Sequence, residues 1–336
     1  METDVDGVVQ EVSTGSLPRW AAVEGLVAEA YERYRHRDDG AQADYIPALA
    51  EADPAHFGLC VARTDGAMHV AGDADVTFSI QSVSKAFVYA LVCEAHGHEV
   101  VRERVGVNNT GLPFSSVIAL ELNDGHPMNP MVNAGALVTT SLMPGETAAA
   151  TWEHLRSGLS QFAGRDLATD DVVYRSESAT NQRNRAIAQL LESYGRLGDD
   201  SLTVLDVYTR QCSLLVSARD LAVMGATLAD GGVNPVTGRR VVSAAVCRDT
   251  LAVLAATGMY EHSGEWLFEI GLPAKSGVTG GIMAVAPGKG ALGSYSPLLD
   301  PAGNSVRGQL ATAHLSRTLG LNVFASAQHD GAEGAS

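Results

Sequence analysis

Phe78-Ser79-Ile80-Gln81-Ser82-Val83-Ser84-Lys85-Ala86-Phe87 is the stretch on which the fold and the chemistry turn. It joins a region of short strands to a long run of helices. Upstream, FGLCVAR (57–63) and AMHVAG (67–72) flank Asp65-Gly66, the pattern of a β-hairpin. Downstream, AFVYALVCEAHG (86–97) reads as a helix. Ser82 and Lys85 are three apart, so on a helix they share a face. A serine hydroxyl is a poor nucleophile until a neighbouring base takes its proton. Lysine becomes such a base when desolvation or nearby cations lower its pKa from ~10.4. Amide donors at a helix start also favour an oxyanion there. A serine at a helix start is equally the ordinary cap residue, so this spacing alone does not separate nucleophile from cap.

Two further features favour the nucleophile. Only three of the 23 basic residues are lysines (Lys85, Lys275 and Lys289), which makes a lysine one turn after a serine hard to read as a solvated surface charge. Lys275-Ser276-Gly277 lies on the approach to a strand near the far end of the chain. Ser-x-x-Lys at a helix start with Lys-Ser/Thr-Gly on an edge strand is the pair seen in penicillin-binding enzymes and serine β-lactamases, and points to acyl transfer.

A second constellation is Glu177, Asn181 and Asn184, spaced to share one face of one helix. Asn184 is in line with Ile187 and Leu191 and therefore points inward, where an amide must be hydrogen-bonded. Two readings stand: a satisfied structural cluster, or a pocket for a zwitterion with Glu177 on an ammonium and the amides on a carboxylate. Asn133, in HPMNPMVNAGA, is placed as a helix cap. Tyr45, Tyr208 and Tyr260 are further candidates, although a lone tyrosine is usually a packing residue with one wet end.

The chain has 336 residues, 46% hydrophobic and 18% charged, a globular composition able to bury a core without disulfides. Its net charge of −16 repels phosphate backbones and anionic lipid, so no nucleic-acid or membrane partner is expected. Cys60, Cys93, Cys212 and Cys247 form no CxxC and read as reduced core thiols. The acidic start METDVDGVVQEV is not a signal peptide, and no apolar run approaches the ~18 residues of a membrane span. A cytoplasmic location is expected. Gly288–Gly293 fits GxGxxG but lies between strand-like segments, so it is read as a turn; His96-Gly97-His98 is read as an exposed helix end. No metal and no cofactor are implied.

The order of elements is α, ββ, many α, βββ, α, with WLFEIG (266–271), VTGGIMAVAPG (278–288) and ALGSYSP (291–297) as the late strands. Strands at both ends are expected in one mostly antiparallel sheet, an α+β architecture with an inserted helical lobe. The expected boundaries are an N-terminal extension over 1–17, an α/β lobe over 18–82 and 257–325, the helical insertion over 83–256, and a tail over 326–336.

On DYIPALA (44–50), FSIQSVSKAF (78–87), HPMNPMVNAGA (126–136), ESATNQRNRA (177–186), LDVYTRQCSL (205–214), ATGMYEHSGEW (256–266), LPAKSGVTGGIMAV (272–285) and SPLLDPAGNSVRG (296–308), the chain resembles the serine-dependent glutaminases of the β-lactamase/transpeptidase-like fold, the glutaminase A family. The likeness runs from about Trp20 to about residue 325. It implies Ser82 as nucleophile, Lys85 as its base and Tyr260 as proton shuttle. It implies backbone N–H groups of Ser82 and Val278 as an oxyanion hole, and Tyr45, Asn133, Glu177, Asn184 and Tyr208 around glutamine, with Gln81 beside them. Lys275 is read as support. The implied reaction is L-glutamine plus water to L-glutamate plus ammonia, in a homo-oligomer. Another serine acyl-enzyme and a non-catalytic amino-acid sensor are the alternatives. The first expects a middle-lobe Ser/Tyr-x-Asn, which Ser178-Ala-Thr-Asn181 does not supply.

Overall fold

The computed structural model describes Val8 and residues 20–326; the expected extension and tail otherwise lie outside the described residues. The early hairpin is β1 (Gly58–Arg63) and β2 (Met68–Gly72), closed by Asp65, whose Oδ1 accepts from the Ala67 N–H, and by Gly66 at φ 86°. A short pair, β3 (Phe78–Ser79) and β4 (Leu215–Val216), precedes β5 (Ala274–Ser276), β6 (Gly281–Ala286) and β7 (Gly290–Tyr295). The main sheet has the order β2-β1-β7-β6-β5 and is antiparallel throughout, so strands from the two ends of the chain do share one sheet.

Helices α1 (Trp20–Tyr34), α2 (Ser84–His96), α3 (His98–Arg104), α4 (Ile118–Glu121), α5 (Asn133–Ser141), α6 (Ala148–Ala163) and α7 (Asp171–Thr180) are followed by α8 (Gln182–Ser193), α9 (Ser201–Cys212), α10 (Ala218–Ala229), α11 (Ala244–Thr257), α12 (Ser263–Glu269) and α13 (Val306–Thr318). Side-chain oxygens of Thr147, Asp170, Asp200, Ser243 and Ser305 accept from first-turn N–H groups, and Ser217 with Asp220 forms a full capping box.

Side chains alternate across the sheet. Leu59, Val61, Ile282, Ala284 and Leu292 pack against α1 and α13, whereas Cys60, Ala62, Met283, Val285 and Ala291 pack towards α10. Both faces are covered, which is why GIMAVA is buried at every residue. Helix α10, inside the expected insertion, therefore lies directly on the sheet. Helix α2 is buried almost all round, by α5, α6 and α11 among others, and so carries Lys85 into the interior. All four cysteines are free and buried.

Two expectations are corrected. WLFEIG is not a strand. Ser263–Glu269 is a helix that buries Trp266 and leaves Phe268 84% exposed, and the edge strand is AKS at 274–276. A short apolar run has no period that distinguishes the two. Ser263 decides it locally, with Oγ donating to the Tyr260 carbonyl and accepting from the Met259 N–H. Secondly, Glu177 and Asn184 are not on one helix. The chain breaks at Asn181 (φ −83°, ψ 31°), where Thr180 Oγ1 bonds back to the Ser176 carbonyl and Asn181 Nδ2 reaches Thr209 Oγ1. Short polar side chains compete with the helix ladder in this way.

Gly293 lets α10 sit on the sheet: a Cβ there would overlap the Ala218 carbonyl and stand 2.7 Å from the Ala222 N. Gly293→Ala is expected to lower the unfolding free energy by about 2–3 kcal/mol, measured by urea unfolding.

Candidate active site

Ser82 lies in a 3-10 turn (Gln81–Val83) that runs straight into α2, two residues before the helix proper. Gln81 has φ 47°, a left-handed conformation that costs a non-glycine residue energy and persists only where neighbours hold it. The holders are specific. Ser84 Oγ donates to the Gln81 carbonyl at 2.7 Å, and Thr279 Oγ1 donates to the Ser79 carbonyl at 2.8 Å. The β5–β6 turn rests on the Ser82 turn through Gly277, where a Cβ would stand 3.0 Å from the Ile80 carbonyl oxygen.

Lys85, 1% exposed, donates from Nζ to Asn133 Oδ1 (2.7 Å) and to the Met131 carbonyl (3.2 Å), with the Phe114 and Tyr208 rings each 5.9 Å away. Burial lowers its pKa to about 8, against a small upward pull from Cys212 and Glu177. In its charged form the Lys85 ammonium can only donate, and Asn133 turns its oxygen to Lys85 and its Nδ2 to Asn184 Oδ1 at 2.8 Å. Asn184 keeps its own Nδ2 donors for other partners. Asn133 is thus not a helix cap: Val132 precedes the helix and Asn133 is its first residue.

Glu177 is 5% exposed and accepts from Gln81 Nε2 at 3.2 Å. Burial raises its pKa to about 7, with the Gln81 bond and Lys85 opposing. Burial likewise pushes the Tyr208 and Tyr260 hydroxyls up, so both stay protonated near neutrality. Tyr260, at φ 54°, hydrogen-bonds with Ser82 and donates to the Ser276 carbonyl at 3.1 Å. Lys275 is fully buried, with Nζ on the carbonyls of Gly258 (3.0 Å) and Ser276 (2.7 Å) and 4.3 Å from the Tyr260 ring centre.

A cavity of about 330 Å³ opens beside Ser82. Tyr45, Gln81, Ser82, Asn133, Glu177, Asn184, Tyr208 and Val278 all line it. Lys85 and Tyr260 adjoin it through Asn133 and Ser82. Tyr45, 55% exposed, stands at its mouth. Ile46, Phe114, Ser115, Thr180 and Arg183 also line it and were not singled out from sequence. Arg183 flanks Asn184, and nothing in the Gly111–Ser115 turn marks Phe114 as a wall of the site. Among the described residues no group of three or more His, Cys, Asp or Glu is placed to hold a metal, and no helix is long and apolar enough to cross a membrane.

The Glutaminase family profile matches residues 40–324. Glutaminase 2 of Yersinia pestis is 53% identical over 96% of this chain and 94% of its own. The chain belongs to the glutaminase family. The structure of the probable glutaminase ybaS superimposes with a TM-score of 0.91 at 44% identity, over 92% of this chain and all of that one. Mglu in its glutamate form gives 0.87 at 40%, over 92% and 71%. The fold is accordingly that of the glutaminases, the serine β-lactamase-like arrangement of an antiparallel sheet with many helices.

Within this glutaminase the buried Glu177 carboxylate holds its proton up to about pH 7 in the folded state, against an ordinary value of 4.5. The folded state then binds more protons than the unfolded one between these values, so this group costs stability as pH rises from 4.5 through 7. Glu177→Gln removes the cost. It is expected to raise the unfolding free energy at pH 8 by about 1–3 kcal/mol, and to leave it unchanged at pH 4, checked by urea unfolding at the two pH values.

Proposed function

We propose that the chain hydrolyses the side-chain amide of L-glutamine through a γ-glutamyl ester on Ser82. One observation carries the reading: a serine in a strained turn, one turn before a desolvated lysine, opens onto a cavity lined by a carboxylate and donor amides. Glutamine, with its ammonium, carboxylate and amide, fits those groups. Glu177 takes the ammonium; the amides of Asn184 and Asn133 and the hydroxyls of Tyr45 and Tyr208 hold the remainder. The reaction begins as Ser82 Oγ bonds to the amide carbon and its proton passes to neutral Lys85. The oxyanion sits on the N–H groups of Ser82 and Val278. The C–N bond breaks as Tyr260, protonated and bonded to Ser82, passes a proton to the departing nitrogen, which leaves as ammonia, and regains one from Lys85. Water then adds to the ester carbon as its proton passes to neutral Lys85, the Ser82 ester bond breaks as Lys85 returns that proton to Ser82 Oγ, and glutamate leaves with Ser82 restored. Lys275 holds Tyr260 in place.

The resting pKa of Lys85 favours it over tyrosine as first acceptor. At pH 8 about half the lysine is neutral, whereas burial keeps both phenols protonated. The reading includes a homo-oligomeric protein in the cytoplasm. Four free thiols support a reducing compartment.

Purified protein is expected to release ammonia and glutamate from L-glutamine, and folded Ser82→Ala to release neither. Ammonia from folded Ser82→Ala at the parent rate would remove Ser82 from the chemistry. The rate kcat/KM is expected to rise with pH from 6 to 9, as Glu177 ionises about pH 7 and Lys85 loses its proton about pH 8. In folded Lys85→Ala kcat is expected to fall roughly 10²–10⁴-fold. A flat profile, or full activity without the lysine, would exclude Lys85 as base.

A further inference from the structure

We propose that Ser84 and Gln211 form a positioning relay that sets the direction of the Ser82 N–H. The inference rests on the reading above, in which that N–H holds the oxyanion. The Gln81 carbonyl and the Ser82 N–H belong to one trans peptide plane and point in opposite directions, so fixing one fixes the other. Ser84 Oγ donates to the Gln81 carbonyl at 2.7 Å. Gln211 Nε2, from α9, donates to Ser84 Oγ at 2.9 Å, and Thr140 Oγ1, from α5, donates to Gln211 Oε1 at 3.1 Å. Ser84, Gln211 and Thr140 are each no more than 1% exposed.

The chemistry leaves little freedom. A hydroxyl carries one proton. Gln211 donates to its oxygen, and Ser84 sends that proton to the Gln81 carbonyl at 2.7 Å, with the Cys212 thiol its further neighbour. The Thr140 bond in turn orients the Gln211 amide, so that its nitrogen and not its oxygen faces Ser84. The relay ends on a residue at φ 47°, whose carbonyl accepts from both the Ser84 hydroxyl and the Ser84 backbone N–H, so the hydroxyl fixes the direction of a plane the backbone bond also holds. None of the three side chains lines the cavity. They act through the Gln81–Ser82 peptide.

The test compares Ser84→Ala and Gln211→Met with the parent and with Ser82→Ala. Folded Ser84→Ala and Gln211→Met are expected to lose about tenfold or more in kcat for L-glutamine. Their KM, and their affinity for L-glutamate by calorimetry, are expected to stay within about twofold, because the lost interaction belongs to the transition state. Ser84→Thr, which keeps the hydroxyl, is expected to restore most of kcat. Parent kcat in both folded variants would overturn the relay, as would a loss confined to KM and glutamate affinity. If both variants fail to fold, isosteric Thr140→Val carries the test: a fall in kcat at constant KM supports the relay, and unchanged kcat overturns it. An active Ser82→Ala would instead overturn the underlying reading. An inactive Ser82→Ala beside fully active relay variants removes the relay alone.

Discussion

Burial of the Lys85 amine constrains everything built around it. An ammonium stripped of water is costly, and the surroundings answer with neutral oxygens rather than with a carboxylate partner. Asn133 Oδ1 and the Met131 carbonyl accept from Nζ, and aromatic rings fill the remaining shell. A carboxylate in contact would have kept the lysine charged; Glu177 exerts only a weak pull and is itself held close to neutrality by burial. Two titratable groups are thereby moved towards pH 7–8 from opposite sides, the condition for proton transfer near neutrality.

Maintaining that environment is the task of the fold. Helix α2 is apolar on nearly every side, and α5, α6 and α11 bury it together with the other core residues. The sheet then brings the far end of the chain against the near end. The β5–β6 turn lies close on the Ser82 turn, where a Cβ at residue 277 would crowd the Ile80 carbonyl. Gln81 and Tyr260 both adopt positive φ beside Ser82. Their strain is borne by hydrogen bonds from α2 and from the β5 edge, so stability made elsewhere is spent at the site.

The Ser82–Lys85 spacing and the Lys275-Ser276-Gly277 edge were legible because each is local and chemically unusual. The hairpin, most helices and the joining of the two chain ends in one sheet were legible from period and turn residues. The break at Asn181 was not, because helical spacing continues across it and only side-chain bonds to Ser176 and Thr209 interrupt the ladder. Residues 266–271 failed for want of a period, with the deciding contacts lying in Ser263. Asn133 stands at a helix start, where local sequence points to a cap, yet its partners are 48 and 51 residues away. Phe114 and Gln211 carry no local signal. What makes them part of the site is packing between distant segments, which the family resemblance supplied for Tyr45, Tyr208 and Val278 but not for these two.

The state of the Lys85 amine is the central claim, and it is open to direct measurement. The chain has three lysines, so a sample labelled with 13Cε-lysine gives a short list of NMR signals to follow with pH. The signal lost in Lys85→Met is expected to titrate about pH 8. A Lys85 signal that keeps its charge beyond pH 10 would contradict the account, because the buried lysine could then not take the Ser82 proton near neutrality.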